Sequence, residues 1–210
     1  LGQQQRAIED YDQAIRLDPH GAQAYLQRGI AYSGLGQYQR ANEDYSEARR
    51  LDPQLALAYF NRGLTYAESG EYQTAIEEFD RAIRLDPQSS SAYLQRGIAY
   101  SALGQQQRAI EDYDQAIRRD PQFAQAYYNR GLAYQILEQH PLAIEDYDQA
   151  IRLDSKLILA YFNLGTAYAK VGEYLQSINK GYDEAIRRDP QFAQAYLQRG
   201  IAYSGLAEYR

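Results

Sequence analysis

The chain is 210 residues long, with a formal net charge of −6, 45% hydrophobic content, 22 tyrosines and no Cys, Met or Trp. The acidic balance argues against a protein whose main task is neutralising nucleic-acid phosphate, and the missing cysteines exclude disulfides and thiolate metal sites. No apolar run approaches the roughly 18 residues of a membrane-crossing helix and no signal peptide is evident, so the expectation is a soluble, cytoplasmic protein. With no Met even at position 1, the chain reads as a piece of a longer polypeptide.

A glycine recurs at constant spacing at Gly29, Gly63, Gly97, Gly131 and Gly165, and again at Gly200 after one position more. A tyrosine stands four positions before each (Tyr25, Tyr59, Tyr93, Tyr127, Tyr161, Tyr196) and another three after it (Tyr32, Tyr66, Tyr100, Tyr134, Tyr168, Tyr203). A fixed period of this length marks a repeat architecture, in which each unit buries its apolar face against its neighbours. With the glycine as eighth residue of a unit, 1–21 is the second half of a repeat. Full repeats follow at 22–55, 56–89, 90–123, 124–157 and 158–192, and 193–210 is a first half, so 1–210 reads as one array.

In the third full repeat, Ser91–Leu103 carries apolar residues at helical spacing and stops at Gly104. Gln107–Arg119 carries a second stripe of Ala109, Ile110, Tyr113, Ala116 and Ile117. Asp120-Pro121 ends it, because proline cannot continue the hydrogen-bond ladder and disfavours helix in the residue before it. The same pair returns at Asp18-Pro19, Asp52-Pro53, Asp86-Pro87 and Asp189-Pro190. Each repeat is expected to be two antiparallel helices joined by a tight turn. That makes twelve helices: a lone second helix, five pairs and a lone first helix.

Tyr25-x2-Arg28-Gly29-x2-Tyr32, followed by Ala41-x3-Tyr45, Ala48 and Pro53, resembles the tetratricopeptide-repeat (TPR) pattern W-x2-L-G-x2-Y…A-x3-F…P. The resemblance covers the whole chain and implies an all-α fold, a right-handed superhelical α-solenoid with five full TPR units and a half repeat at each end. The packing logic agrees with it. Glycine at the eighth position lets the paired helix approach closely, Ala41, Ala75, Ala109 and Ala143 do the same from the other side, and tyrosines fill the space between. Two departures recur: Tyr stands for Trp, and Arg28, Arg62, Arg96, Arg130 and Arg199 stand where the pattern has Leu.

A cation near an inter-helix seam needs a partner. Repeats with the arginine carry an acidic pair in the second helix (Glu43-Asp44, Glu77-Glu78, Glu111-Asp112, Glu145-Asp146), whereas the repeat with Leu164 has Asn179 and Lys180 there. Arginine and acid disappear together, which points to a structural ion pair inside each repeat. The alternative is an arginine whose stem lies along its helix with the head in water. The 158–192 repeat departs in other ways. Ser155 precedes it in place of proline, its region holds all three lysines (Lys156, Lys170, Lys180), and it has one extra residue near Asn179-Lys180-Gly181. One residue inserted into a helix predicts a π-bulge or a kink.

Leu1–Arg16 is identical to Leu103–Arg118, and Ala22–Leu35 to Ala193–Leu206. The first helix carries Glu9 and Asp10 without an arginine, and the last carries Arg199 without its acid, so the two ends are complementary halves of one repeat. Head-to-tail self-association is one expectation, and a heterologous contact of that kind propagates unless rotation closes it.

Nothing resembles a catalytic, cofactor or metal site. His20 and His140 lie in different repeats at expected surface positions, the carboxylates recur once per repeat, and Gly34-Leu35-Gly36 is a helix–helix turn without a phosphate loop's strand. No enzyme activity, cofactor, nucleic acid or membrane is expected. The positive signal comes from the resemblance: first helices of TPR arrays line a groove for extended peptides or partner helices. Two before each glycine stands an amide: Gln27, Asn61, Gln95, Asn129, Asn163 and Gln198. Three before it stand Leu26, Phe60, Leu94, Tyr128, Phe162 and Leu197, and one after it Ile30, Leu64, Ile98, Leu132, Thr166 and Ile201. An amide offers donor and acceptor, so this ladder over an apolar floor suits a peptide backbone; the alternative is that part of the apolar set packs between neighbouring repeats. The carboxylate clamp of chaperone-tail-binding relatives requires basic residues. Here Gln23, Leu57, Ser91, Gln125, Leu159 and Gln194 stand at one of its basic positions, so that mode is not expected.

Overall fold

The structure, a computed structural model, describes residues 2–208. It divides into two compact units, Leu1–Leu103 and Gly104–Arg210. The first contains α1 (Gly2–Leu17), α2 (Ala22–Gly34), α3 (Tyr38–Leu51), α4 (Ala56–Glu68), α5 (Tyr72–Leu85) and α6 (Ser90–Ala102). The second contains α7 (Gln106–Arg119), α8 (Ala124–Ile136), α9 (His140–Leu153), α10 (Ile158–Lys170), α11 (residues 174–188) and α12 (Ala193–Glu208). Among the described residues these are twelve helices and no strand, in the predicted order. Within the first unit α2 packs on α3 and α4 on α5, while α4 adjoins both α2 and α6. In the second, α8 packs on α9, α10 on α11 and α12 on α11, with α10 adjoining α8 and α12. First helices thus lie side by side within each unit.

The recurring glycine holds each pair together. A Cβ on Gly29 would lie 2.7 Å from the Tyr45 ring, on Gly63 2.6 Å from Phe79, and on Gly131 2.8 Å from Tyr147. Tyr45, Tyr147 and Phe79 are among the most deeply buried side chains, and Ala41, Ala75 and Ala143 have no exposed surface. The ring that meets the glycine therefore comes from the second helix of the same repeat, and the flanking tyrosines of the first helix are left for another task.

Turns between paired helices need one left-handed residue. Gly36 (φ 71°), Gly70 (φ 79°) and Gly172 (φ 80°) fill it, and Glu138 (φ 58°) fills it in the fourth repeat, at a backbone cost of about 1 kcal/mol relative to glycine. Between repeats the aspartate closes the turn. Asp52, Asp86, Asp120 and Asp189 each accept a hydrogen bond from the backbone N–H two positions on. Asp154 does the same from Lys156 at 3.0 Å although Ser155 replaces the proline, and it keeps the extended backbone of its counterparts (φ −138°, ψ 96°). The side chain, more than the ring, specifies this turn.

The inserted residue produces the predicted π-bulge. Helix α11 consists of Tyr174–Gln176, a π-helical stretch Ser177–Tyr182, and Asp183–Arg188. Packing is in register on both sides of it. Ser177 stands to Gly165 as Ala143 does to Gly131, at the same offset, and is fully buried. Tyr182 packs against Gly165, a Cβ there lying 2.9 Å from its ring, although it stands one position farther along than Tyr147 does from Gly131. The wide turn also presses Gly181 onto the first helix: a Cβ on it would lie 2.2 Å from the Gly165 Cα and 2.5 Å from its nitrogen.

Candidate ligand-binding face

Arg28 and Arg130 do have the expected acid, and more besides. Arg28 grips Asp44 through Nε (2.8 Å) and Nη2 (2.6 Å) while its Nη1 donates to Asp12 at 2.6 Å. Arg130 repeats the pattern with Asp146 (2.8 and 2.7 Å) and Asp114 (2.5 Å). Each guanidinium therefore joins two second helices, and its two acids stand at equal offsets before and after it in the chain. Sequence reasoning found the later acid and missed the earlier one, although Asp12, Asp80, Asp114 and Asp183 were legible at that fixed offset. Arg199 donates through its Nη1 to Asp183 at 2.6 Å, a correction to the expectation that it lacks any acid. Tyrosines three before and four after flank the cation: Arg28 lies 5.6 Å from the Tyr25 ring and 5.9 Å from Tyr32, and Arg130 lies 5.6 Å from Tyr127 and 5.9 Å from Tyr134. Burial pushes the Asp44 and Asp146 carboxyls above the usual carboxylate range, against the pull of their arginines. The Asp44 hydrogen bond holds the Arg28 guanidinium above its ordinary value.

Two repeats break this pattern. In the second, Glu78 replaces Asp and Ser46 replaces the earlier acid. Arg62 then makes one bond to Glu78 (2.8 Å) and one to the Tyr66 hydroxyl (2.9 Å), and its Nε and the Glu78 Oε2 are enclosed without partners. One added methylene undoes the fork. In the fifth, Leu164 is buried among Ala143, Tyr147 and Tyr168, and Lys180 reaches over the Tyr168 ring at 5.6 Å.

With arginine, glycine and the ring accounted for, the outward face of each first helix follows. Positions six and two before the glycine, and one and five after it, share one helical stripe. On α4 these are Leu57, Asn61, Leu64 and Glu68; on α8 Gln125, Asn129, Leu132 and Ile136; on α10 Leu159, Asn163, Thr166 and Lys170. Leu57, Ile136 and Leu159 are exposed. All six predicted amides (Gln27, Asn61, Gln95, Asn129, Asn163, Gln198) are partly exposed. Asn61 and Asn129 each donate one N–H to their own helix, to the Leu57 and Gln125 carbonyls at 2.9 and 2.7 Å, and Asn163 donates to the Tyr128 hydroxyl at 3.2 Å. Those bonds fix the rotamers and leave the amide carbonyl and second N–H uncommitted.

The predicted apolar floor is corrected. Leu26 and Leu94 are buried, Leu26 against Ala41, Tyr45 and Ala48. Phe60, Tyr128 and Phe162 are partly buried with their rings 5.9, 6.1 and 5.9 Å from Phe79, Tyr147 and Tyr182. A residue three before the glycine lies on the glycine's own face, which is turned to the second helix. Of the predicted floor, Leu197 and Ile201 on α12 and Ile30 on α2 stand open. Leu57 and Leu159, six before their glycines, add to the exposed apolar surface. In the first unit a cavity of about 220 Å³ opens between α4 and α6, lined by Ala56, Leu57, Phe60, Ala82, Asp86, Ser89 and Ser91. Of the histidines, His20 is exposed, whereas His140 begins α9 with its Nδ1 enclosed and unpartnered. Among the described residues no group of His, Asp or Glu is arranged to hold a metal ion, and no helix is long and apolar enough to cross a membrane.

Profiles described as tetratricopeptide repeat or TPR repeat match residues 26–90, 124–157 and 78–111, and 1–36 with 99–137, so that together they span 1–157. The chain belongs to the tetratricopeptide-repeat family. Solved TPR structures share the fold. YrrB, described as a TPR protein with an unusual peptide-binding site, aligns with a TM-score of 0.76 at 21% identity, over 92% of this chain and 99% of its own. MamA aligns with a TM-score of 0.73 at 28% identity, over 82% and 94%. The thermophilic TPR protein TTC0263 of Thermus thermophilus aligns with a TM-score of 0.64 at 22% identity, over 87% and 99%. No curated protein matches the sequence. TPR proteins generally mediate protein–protein interaction.

Proposed function

We propose that this TPR chain is a protein–protein interaction scaffold that binds an extended peptide or a partner helix on the outward face of its first helices. The observation that carries this reading is the pre-oriented amide at the centre of each stripe, flanked in α4 and α10 by exposed leucines (Leu57, Leu159). An amide whose rotamer is already fixed loses little entropy on pairing with a peptide backbone, and the cavity beside Leu57 and Phe60 admits an apolar side chain of the ligand. Among the described residues the stripes of α4 and α8 carry no Lys or Arg and that of α10 only Lys170, which argues against an acidic tail as the ligand. The proposal assigns no catalytic step.

Panning a displayed peptide library against the chain supplies a ligand whose affinity is then measured by calorimetry. Asn61→Ala, Asn129→Ala and Asn163→Ala together should weaken binding by about tenfold or more, at ~1 kcal/mol per lost hydrogen bond, with helicity unchanged. Unchanged affinity in the triple variant would sink the proposal.

A further inference from the structure

The residue just before a first helix is large and apolar at Leu55, Phe123, Leu157 and Phe192, but Ser89 precedes α6. Its backbone (φ −68°, ψ 94°) is close to that of Leu55 (φ −77°, ψ 84°) and Leu157 (φ −72°, ψ 80°), so its Cβ leaves the chain in the same direction. The Ser89 hydroxyl caps α6, accepting from the Ala92 N–H at 3.3 Å. Packing has been exchanged for a cap.

What a ring does at that position is visible in the second unit. Phe192 joins the cluster of Ile158, Phe162, Ala185 and Ala195, its ring centroid 5.0 Å from that of Phe162. The counterparts of Ile158, Phe162 and Ala185 in the second repeat are Ala56, Phe60 and Ala82. These three, with Leu57 and Ser89, line the cavity of about 220 Å³ between α4 and α6. The cavity therefore has the walls that surround Phe192, with serine where the ring is attached. An apolar cavity of about 150 Å³ suffices to bind benzene. Leu57 also belongs to the outward stripe of α4, one turn from Asn61, so a peptide paired with that amide carries a side chain to the cavity mouth.

We propose, building on the peptide-binding reading above, that this cavity receives the ring of a phenylalanine in the ligand, held against Phe60 as Phe192 is held against Phe162. Aromatic pairs gain beyond the area they bury, so a phenyl ring is preferred to a leucine. Asp86 stands exposed at the rim and repels a free carboxylate beside the ring, so the phenylalanine is an internal residue of the peptide.

N-acetyl-phenylalanine amide is the direct probe, since it carries the ring on a backbone too short to span the amide stripes. In an NMR titration it should shift resonances of Leu57, Phe60 and Ala82 saturably, with ring-to-ring nuclear Overhauser contacts to Phe60, and N-acetyl-alanine amide should not. Ser89→Phe and Ser89→Leu fill the cavity from within, using residue types the chain already carries at Phe192 and Leu55. Each should weaken the probe at least about tenfold, and the leucine variant serves if circular dichroism shows the phenylalanine variant misfolded. No saturable shift at Leu57 and Phe60, or equal affinity in the parent and filled chains, overturns the proposal. A panned peptide that loses affinity in the triple asparagine variant but binds the filled chains as tightly as the parent overturns it too, while leaving the proposed function standing.

Discussion

Repeats 124–157 and 158–192 are neighbours in one unit and solve one packing problem with different charges. In the fourth, a cation on the first helix is shared by two carboxylates, Asp114 before it and Asp146 after it. In the fifth, the first helix is apolar at that position, the earlier acid persists as Asp148, and the cation is Lys180 on the second helix, lifted over the Tyr168 ring. The arginine solution needs a regular second helix that delivers its aspartate in phase with the ring. The lysine solution accompanies a π-bulge, which delivers ring and small residue in register but puts a glycine where the helices touch. What the family pattern protects, then, is the glycine–ring contact; the electrostatic scheme laid over it is replaceable.

The largest expected effect comes from adding one carbon where the bulge meets the first helix. Gly181→Ala drives a Cβ into the backbone of Gly165, which cannot move aside as a side chain would, and should cost about 3 kcal/mol or more. Deleting Gly181 altogether restores the spacing that the other repeats keep between glycine and ring, and should leave stability within about 1 kcal/mol of the parent. Chemical denaturation of the two variants checks this, and equal losses would show that the bulge is needed for more than register.

Next in size is the fork of the fourth repeat. Asp146→Ala leaves the Arg130 guanidinium with a single acid inside the seam, and should destabilise by about 3 kcal/mol, as breaking a buried ion pair does. Denaturant midpoints should fall in this variant and shift much less in Glu145→Ala, since Glu145 is exposed. Comparable losses from both would mean that acidic charge in general, not the fork, stabilises the repeat.

Much of this was legible in the sequence. Period, helix order and the bulge follow from counting, because a fixed repeat length, an Asp-Pro stop and a one-residue surplus each have a single simple helical consequence. The Arg–acid pairing followed from Leu164 and Lys180 changing together. One thing was not legible: which of Glu145 and Asp146 pairs depends on which points inward. The earlier acid could be read at its fixed offset, but it belongs to a different repeat, so a search confined to one repeat passes over Asp114. Leu26 was misplaced for a related reason. Apolar character cannot tell a groove floor from a seam, and only its offset from Gly29, on the face that meets Tyr45, assigns it to the core.

The smallest effect is also the one whose sign separates the two schemes. Asp114 and Asp148 occupy equivalent positions in successive repeats, yet Asp114 accepts a 2.5 Å bond from Arg130 while Asp148 has no cation within ion-pair distance among the described residues. Burial pushes the Asp148 carboxyl above the usual range, and the charges of Lys180 and Arg152 only partly offset it. A carboxyl whose folded pKa exceeds its unfolded one binds its proton more tightly in the native state, so ionising it costs stability as pH rises through that interval. Asp148→Asn removes the cost. It should stabilise the chain by a few tenths of a kcal/mol at neutral pH, and the gain should vanish once the pH drops below the ordinary aspartate value of about 4. Asp114→Asn should act in the opposite sense at neutral pH, costing about 1 kcal/mol through the lost charge-assisted bond. Thermal unfolding across this pH range reads both. A loss at Asp148 matching that at Asp114 would mean that Lys180 grips the carboxylate as firmly as the arginine does, and that the fifth repeat has kept the clasp while exchanging the helix that supplies its cation.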